Sequence, residues 1–365
     1  MACNCGNMNC GCAKSGISWA PNQFQNIRNS VSVFDRASRG GYDRFNDPIR
    51  HIKTQRDWLR FKDFKHFEAT IQSLDHKGRE FIDEFEFSNK LNTLRQLYKS
   101  NGTDETAIDT ENDNDESRID FEPLVAVLNS KGIVEIGNFI YKVEYPSRLI
   151  IIPSNEESVI GEIERGSLVN GRAMYLNFNN NNSQELDDRI EFEEGNSQNT
   201  IGLRIGCGAG RCPLGIHSNS QNSGEYKALY NGASMLHRFR GIATYGNVGI
   251  YKWIKFTVKH QRKNILWKAT PTPAFYIYAE GSYKPRCRTR VHLPYLVTQN
   301  GLTYTNPLII RNSLFNSLGE VTISIYGGAR GLSSFSITNI QLGGQRVDNN
   351  VAYLVAEPED LSCST

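Results

Sequence analysis

No apolar run in these 365 residues approaches the ~18–20 residues that a helix needs to cross a bilayer. The longest, Leu149-Ile150-Ile151-Ile152, is strand-sized. An excess of one charge is missing too. Lys and Arg number 41 against 39 Asp and Glu, a formal net charge of +2, so no global field argues for nucleic acid or an acidic membrane as partner. The sequence also lacks a Ser-His-Asp order, H-E-x-x-H, Walker A and G-x-S-x-G. Gly206, Gly208 and Gly210 make a glycine-rich turn, but Pro213 and a Ser/Asn-rich stretch follow where a phosphate site requires a helix N-terminus. The first residues carry neither a basic n-region nor an apolar h-region, and their literal reading is cytoplasmic residence. What remains, at 39% hydrophobic and 22% charged, is a globular composition long enough for two domains or one large β domain with a helical appendage.

The chain divides by pattern. Residues 1–56 read as a cysteine-containing, loosely ordered arm, rich in Asn, Arg, Ser and Gly. Over 57–103, Trp58, Leu59, Phe61, Phe64, Phe67, Ile71 and Leu74 recur at helical spacing. A second run, Phe81, Phe85, Leu91, Leu94 and Tyr98, completes a helical hairpin. Residues 104–120 are an acidic linker. Its oxygens at Asp109, Glu111, Asp113, Asp115 and Asp120 mimic EF-hand spacing, but Asn114 and Asp120 replace the required Gly and Glu, so it reads as a solvated linker.

From 121 to 365 the signature is a helix, a hairpin and then strands. Pro123 suits the first turn of a short helix, and Gly137-Asn138 is a tight-turn signal between Ile133–Ile136 and Phe139–Val143. Short apolar segments separated by Gly, Asn and Ser clusters follow to the C-terminus. The expected fold is α+β: a small N-terminal helical module followed by a mostly antiparallel, β-sandwich-like domain.

Two cysteine groups invite chemistry. Cys3, Cys5, Cys10 and Cys12 form two C-x-C pairs, and four thiolates could close a tetrahedral Zn²⁺ site; a cysteine-rich tail and a lipidated tail are the alternatives. No other cofactor is expected. Cys207 and Cys212 bracket the glycine turn, with His217 and Cys287 beyond. They read either as a small disulfide-closed loop or free thiols, or as a metal or nucleophile site. The scattered histidines read as hydrogen-bonded surface or core residues.

The third group is basic and aromatic. Tyr251, Trp253, Lys255, Lys259, Arg262, Lys263 and Trp267 fall in one stretch. On a strand, alternation sends Ile254, Phe256 and Val258 inward and Trp253, Lys255, Thr257 and Lys259 outward. An exposed face of that kind binds single-stranded nucleic acid or polyanionic glycan or, alternatively, only guards the strand against edge-to-edge aggregation. Exposed Tyr276 and Tyr278 join the expected contacts, since aromatics concentrate at recognition surfaces.

The block from Phe64 to Leu97, the segment FEPLVAVLNSKGIVEIGNFIYKV, and the element built on Arg238, Gly241, Asn247, Gly249, Ile250, Tyr251, Lys259 to Lys263 and Trp267 resemble uncharacterised envelope proteins of Bacteroidota. The resemblance implies secretion or lipoprotein anchoring, hence a cell-envelope or extracellular place and possible peripheral membrane association; it supplies no activity. The expected function is therefore a non-enzymatic binding or structural protein of a surface or extracellular assembly, recognising protein or glycan through the aromatic and basic face. The alternative is a secreted hydrolase or effector acting on glycan or peptide. Nucleic acid is not an expected partner.

Overall fold

The computed structural model describes residues 32–33, 58–100, 118–166, 172–178, 212–286, 288–293, 297–299, 302–304, 308–311, 317–329, 331–348 and 352–363. Its first helix, α1 (Phe64–Lys77), starts where the Asp63 carboxylate accepts the His66 N–H at 2.9 Å, and it stops at Gly78, whose φ is 82°. Phe64, Phe67, Ile71 and Leu74 form its buried stripe. Trp58, Leu59 and Phe61, which continue the same spacing, lie before this helix instead. The second run is not one helix either: α2 (Arg79–Asn89) ends at Lys90, which sits in the left-handed region at φ 50°, and α3 (Leu94–Ser100) begins afresh. Arg95 ties the two together, donating to Asp83 at 2.5 Å, Glu86 at 2.8 Å and Glu122 at 2.6 Å. The helix α4 (Glu122–Val125) carries Pro123 in its first turn, as the sequence predicts.

The strands in chain order are β1 (Ser32–Val33), β2 (Leu59–Phe61), β3 (Ile133–Ile136), β4 (Phe139–Glu144), β5 (Arg148–Pro153), β6 (Met174–Asn177), β7 (Gly215–Asn222), β8 (Tyr226–Tyr230), β9 (Ala233–Asn247) and β10 (Lys252–Lys263). Then come β11 (Trp267–Ala269), β12 (Phe275–Pro285), β13 (Val291–Leu293), β14 (Val297–Gln299), β15 (Leu302–Tyr304), β16 (Leu308–Ile310), β17 (Glu320–Gly328), β18 (Leu332–Gln345), β19 (Tyr353–Ala356) and β20 (Leu361–Cys363). The protein is thus a β-rich α+β chain whose sheets are mainly antiparallel.

Strands β1 to β6 form one sheet in chain order, with the β2–β3 pair parallel. The β3–β4 hairpin turns at Gly137, φ 61°. It therefore belongs with the helical segment rather than opening the later strands, as its place in the sequence suggested. Phe61, Phe67, Leu124, Val134 and Tyr141 share one core. The helix α5 (Ser158–Glu164) covers the opposite face of this sheet, packing Val159, Ile160 and Ile163 on Ile133, Ile140, Ile150 and Ile152.

Two further sheets have matching plans. In one, β9 and β10 pair along their whole length; β7 and β8 share the outer edge of β9, and β17 and β11 share the outer edge of β10. In the other, β12 and β18 are central, flanked by β13 and β16 on one side and β19 and β20 on the other. The inner faces meet through Phe239, Ala243, Ile254, Phe256 and Val258 on the first and Phe275, Ile277, Phe335, Ile337 and Leu342 on the second. At Gly241 the sheets come so close that a Cβ would lie 2.7 Å from that of Leu342.

The outer face of β10 is covered as well. Phe121 stacks on Tyr251 at 5.7 Å and on Trp253 at 5.3 Å. Trp253 in turn lies across Gly246, where an added Cβ would fall 2.0 Å from the indole. The helical layer, the β9–β10 sheet and the β12–β18 sheet are therefore stacked in that order.

Candidate functional site

The stacking corrects the expected recognition face. Tyr251 and Trp253 are fully buried core residues, and Trp267 is 4% exposed. Lys255 is also buried, its ammonium 3.1 Å from the Asp120 carboxylate on the helical layer. Lys259 reaches Glu320 on β17 at 4.0 Å. Tyr276 and Tyr278 are half-buried, the first against Tyr353 and the second donating its hydroxyl to Glu280. The inward prediction for Ile254, Phe256 and Val258 agrees with the structure. The outward prediction for Trp253 and Lys255 does not, because a second layer, not water, meets that face.

Only the far end of the stretch reaches the surface. At this end β8 and β9 join through Asn231-Gly232, with Asn231 at φ 49° and Gly232 at φ 80°, positive angles that suit the tight turn. Beside it, β10 and β11 join through Asn264-Ile265-Leu266. Arg262 is half-buried with its guanidinium 3.8 Å from the Tyr230 ring, Arg238 lies 4.0 Å over Trp267, and the Lys263 ammonium sits 5.7 Å from the same indole. The ring faces are thus covered by cations. Leu229, Ile265 and Leu266, by contrast, are 74%, 87% and 42% exposed. No Asp or Glu occurs from Tyr226 to Ala279, whereas Lys227, Lys263 and Lys268 are exposed here. Sequence reasoning passed over the aliphatics because single exposed apolar residues are common; the acid-free run was the available signal.

Beneath this end lies a buried polar cluster. His260 Nδ1 is 3.0 Å from the Thr270 carbonyl oxygen and 2.7 Å from that of Pro271, so this nitrogen carries the proton and Nε2 accepts. Tyr226 donates to Nε2 at 2.9 Å, and His237 Nδ1 lies 3.3 Å from it. Burial pushes His260 down to about 4, with the neighbouring His237 adding to the shift, and burial raises Tyr226 to about 12. All three side chains are buried, and their contacts tie β8, β9 and β10 together. The reading of the histidines as hydrogen-bonded core residues holds for His237 and His260.

At the interface between α1 and β17, burial raises Asp75 to about 6, opposed by Ser324 and Lys255. Glu68 on the same helix accepts the Ala329 N–H at 3.2 Å, and Gln72 donates to the Gly327 carbonyl at 2.6 Å. These contacts dock the helix on the sheet. A separate cavity of about 320 Å³ lies between Leu94, Tyr98, Arg118, Lys131, Val143, Glu144 and Tyr145.

The cysteines pair differently from the expected small loop. Cys212 is bonded to Cys363 across a sequence separation of 151 residues, with Cα atoms 5.5 Å apart. Its sulfur is therefore neither a nucleophile nor a metal ligand beside His217, which instead stacks on Tyr245. Cys3, Cys5, Cys10, Cys12, Cys207 and Cys287 lie outside the described residues, as does the acidic linker before Arg118. No helix among the described residues is long and apolar enough to cross a membrane.

No protein-family model matches the chain, and no curated protein matches it. Among solved structures, a DUF4848 family protein from Bacteroides thetaiotaomicron aligns at 12% identity, over 84% of this chain and 97% of that one, with a TM-score of 0.18. Similarity at that level carries no argument about fold or function.

Proposed function

We propose that this chain is a non-enzymatic binding or structural protein of a cell-surface or extracellular assembly, and that it makes contact through the end of the β9–β10 sheet. One observation carries the reading. Leu229, Ile265 and Leu266 stand 74%, 87% and 42% exposed beside Lys227, Lys263 and Lys268, in a segment without a single acid. An exposed apolar group ringed by one sign of charge is the composition of an interaction surface rather than of a solvated turn. The Cys212–Cys363 bond supports the compartment, since buried disulfides persist where the surroundings are oxidising. The resemblance to Bacteroidota envelope proteins supports it too.

The partner carries negative charge. Lys255 and Lys259, expected in the same surface, are engaged by Asp120 and Glu320 and take no part. Replacing Lys263 and Lys268 by Glu should abolish retention on heparin–agarose in moderate salt, while the circular dichroism spectrum stays as in the parent. Retention unchanged by the double reversal would refute the reading.

A further inference from the structure

We infer that the partner of this end is the surface of an anionic lipid bilayer, entered by the aliphatic tips of the two adjacent turns. The inference rests on the contact surface proposed above and names what it meets.

The strand register sets the geometry. Leu236 on β9 is opposite Lys227 on β8 and Lys263 on β10, so those two lysines occupy one row across three strands. Leu229 on β8 and Ser234 on β9 form the next row of the same side-chain phase toward the tip, and Ile265 follows Lys263 by the same interval. At about 3.3 Å per residue along β8, Leu229 leads the lysine row by roughly 7 Å, and Ile265 and Leu266 lie beyond Lys263 in the bend that joins β10 to β11. Interfacial segments bury their apolar groups ~5–10 Å into the headgroup and acyl boundary. With Leu229, Ile265 and Leu266 at that depth, Lys227 and Lys263 sit at the phosphates.

The same features disfavour the other partners. A glycan is gripped by open aromatic faces, but Trp267 is buried and both Trp267 and Tyr230 are capped by cations. A polyanion of any kind gives no reason to present Ile265 almost wholly to water. Protein hot spots centre on aromatic and Arg anchors in desolvated pockets; here the exposed groups are aliphatic and stand on projecting turns. Among the described residues, Asp348 near Tyr226 and His237 is held by Arg346, and the exposed Glu225 precedes β8 on the side of Lys227 away from the turn. The local field at the tips is therefore positive, which attracts anionic headgroups at about 1 kcal/mol per cation near the surface.

The test is co-sedimentation of the full chain with sucrose-loaded vesicles, of phosphatidylcholine alone and of phosphatidylcholine mixed with phosphatidylglycerol. The chain should pellet with the mixed vesicles and stay in solution with the neutral ones. A variant carrying the uncharged changes Ile265→Ser and Leu266→Ser should lose roughly ten- to a hundredfold in partitioning, as removal of two aliphatic side chains from the lipid boundary requires. Both side chains are solvent-exposed, so its thermal midpoint should match the parent. Its retention on heparin should also persist. Unchanged vesicle binding by that variant would overturn the inference, because attraction to the headgroups alone would then suffice. Failure of the parent to bind mixed vesicles, with heparin retention intact, overturns the lipid partner and leaves the basic contact surface standing. Failure of both removes both.

Discussion

Asp75, half-buried, and His260, fully buried, show how two side chains of one protein set opposite pH slopes. His260 titrates at about 4 in the fold against about 6.5 in an unfolded chain. Stability from keeping it neutral is complete above 6.5 and drains as pH falls toward 4, because the unfolded chain takes up the proton first. Asp75 is raised to about 6 from an ordinary 3.8, so its contribution is complete below 3.8 and is lost as pH rises through 6. Between about 4 and 6 the two slopes partly cancel. Asp75→Asn removes one of them. That variant should exceed the parent near pH 7 by about 1–2 kcal/mol, a figure reduced from the full shift because the residue is partly exposed to solvent. The gain should vanish near pH 3.5. Urea midpoints of both proteins across this range decide it, and an equal midpoint at pH 7 contradicts the assignment.

A glycine decides the position of Trp253. Gly246 is opposite Trp253 on the neighbouring strand, and the indole lies where a Cβ would stand. Gly246→Ala must push the ring out of its stack on Phe121 or bend the strand, costing about 1–3 kcal/mol by overpacking. A lowered thermal midpoint, with near-ultraviolet dichroism altered at the tryptophan bands, is the expected result. An unchanged melt would mean that the indole has another place to go.

At the scale of elements, the sequence was most legible where local rules act alone. The stripe of α1 from Phe64 to Leu74, Pro123 in α4 and the Gly137 turn follow from side-chain spacing and backbone preference. Several elements were hidden for identifiable reasons. Strand β7, GIHSNSQN, has the composition of a loop; it is held as a strand by pairing with β9 from Gly215 to Asn222. Its outer face stays wet, and Asn219 and Gln221 bond the backbone between β19 and β20. The break at Lys90 was invisible because the apolar spacing continues across it into α3. In β10 the alternation correctly separates two faces, but it carries no information about whether the second meets water or another layer. Tyr251, Trp253 and Lys255 were displaced for this reason, while Lys259 is engaged by Glu320 on the neighbouring strand and Trp267 is buried on β11 beneath Arg238. Arg262 and Lys263 remain at the outer end of β10.

For the whole molecule the Cys212–Cys363 bond is the longest-range covalent constraint described. It fastens β20 at the C-terminal side to the segment entering β7. Closing so long a loop restricts the unfolded chain, and losing the bond by Cys212→Ser with Cys363→Ser should remove about 2–5 kcal/mol. Amide exchange over Leu361–Cys363 should rise first, since β20 pairs with β18 over only that short stretch. Equal chemical stability with and without reductant would show that the bond does not contribute.

The sequence by itself determined what nearest neighbours along the chain control: the α1 stripe, the turn at Gly137, the inward set Ile254, Phe256 and Val258, and the β-rich class. These depend on periodicity and on φ preferences that operate over a few residues. The tertiary structure alone decided that Phe121 covers Trp253, that Asp120 takes up Lys255, and that Cys212 chooses Cys363 over Cys207. Each of those partners is brought close by sheet stacking and strand order, which no local spacing encodes. Among the described residues, no layer of that stack covers Leu229, Ile265 and Leu266, which is why the contact surface is proposed at that end of the basic strand.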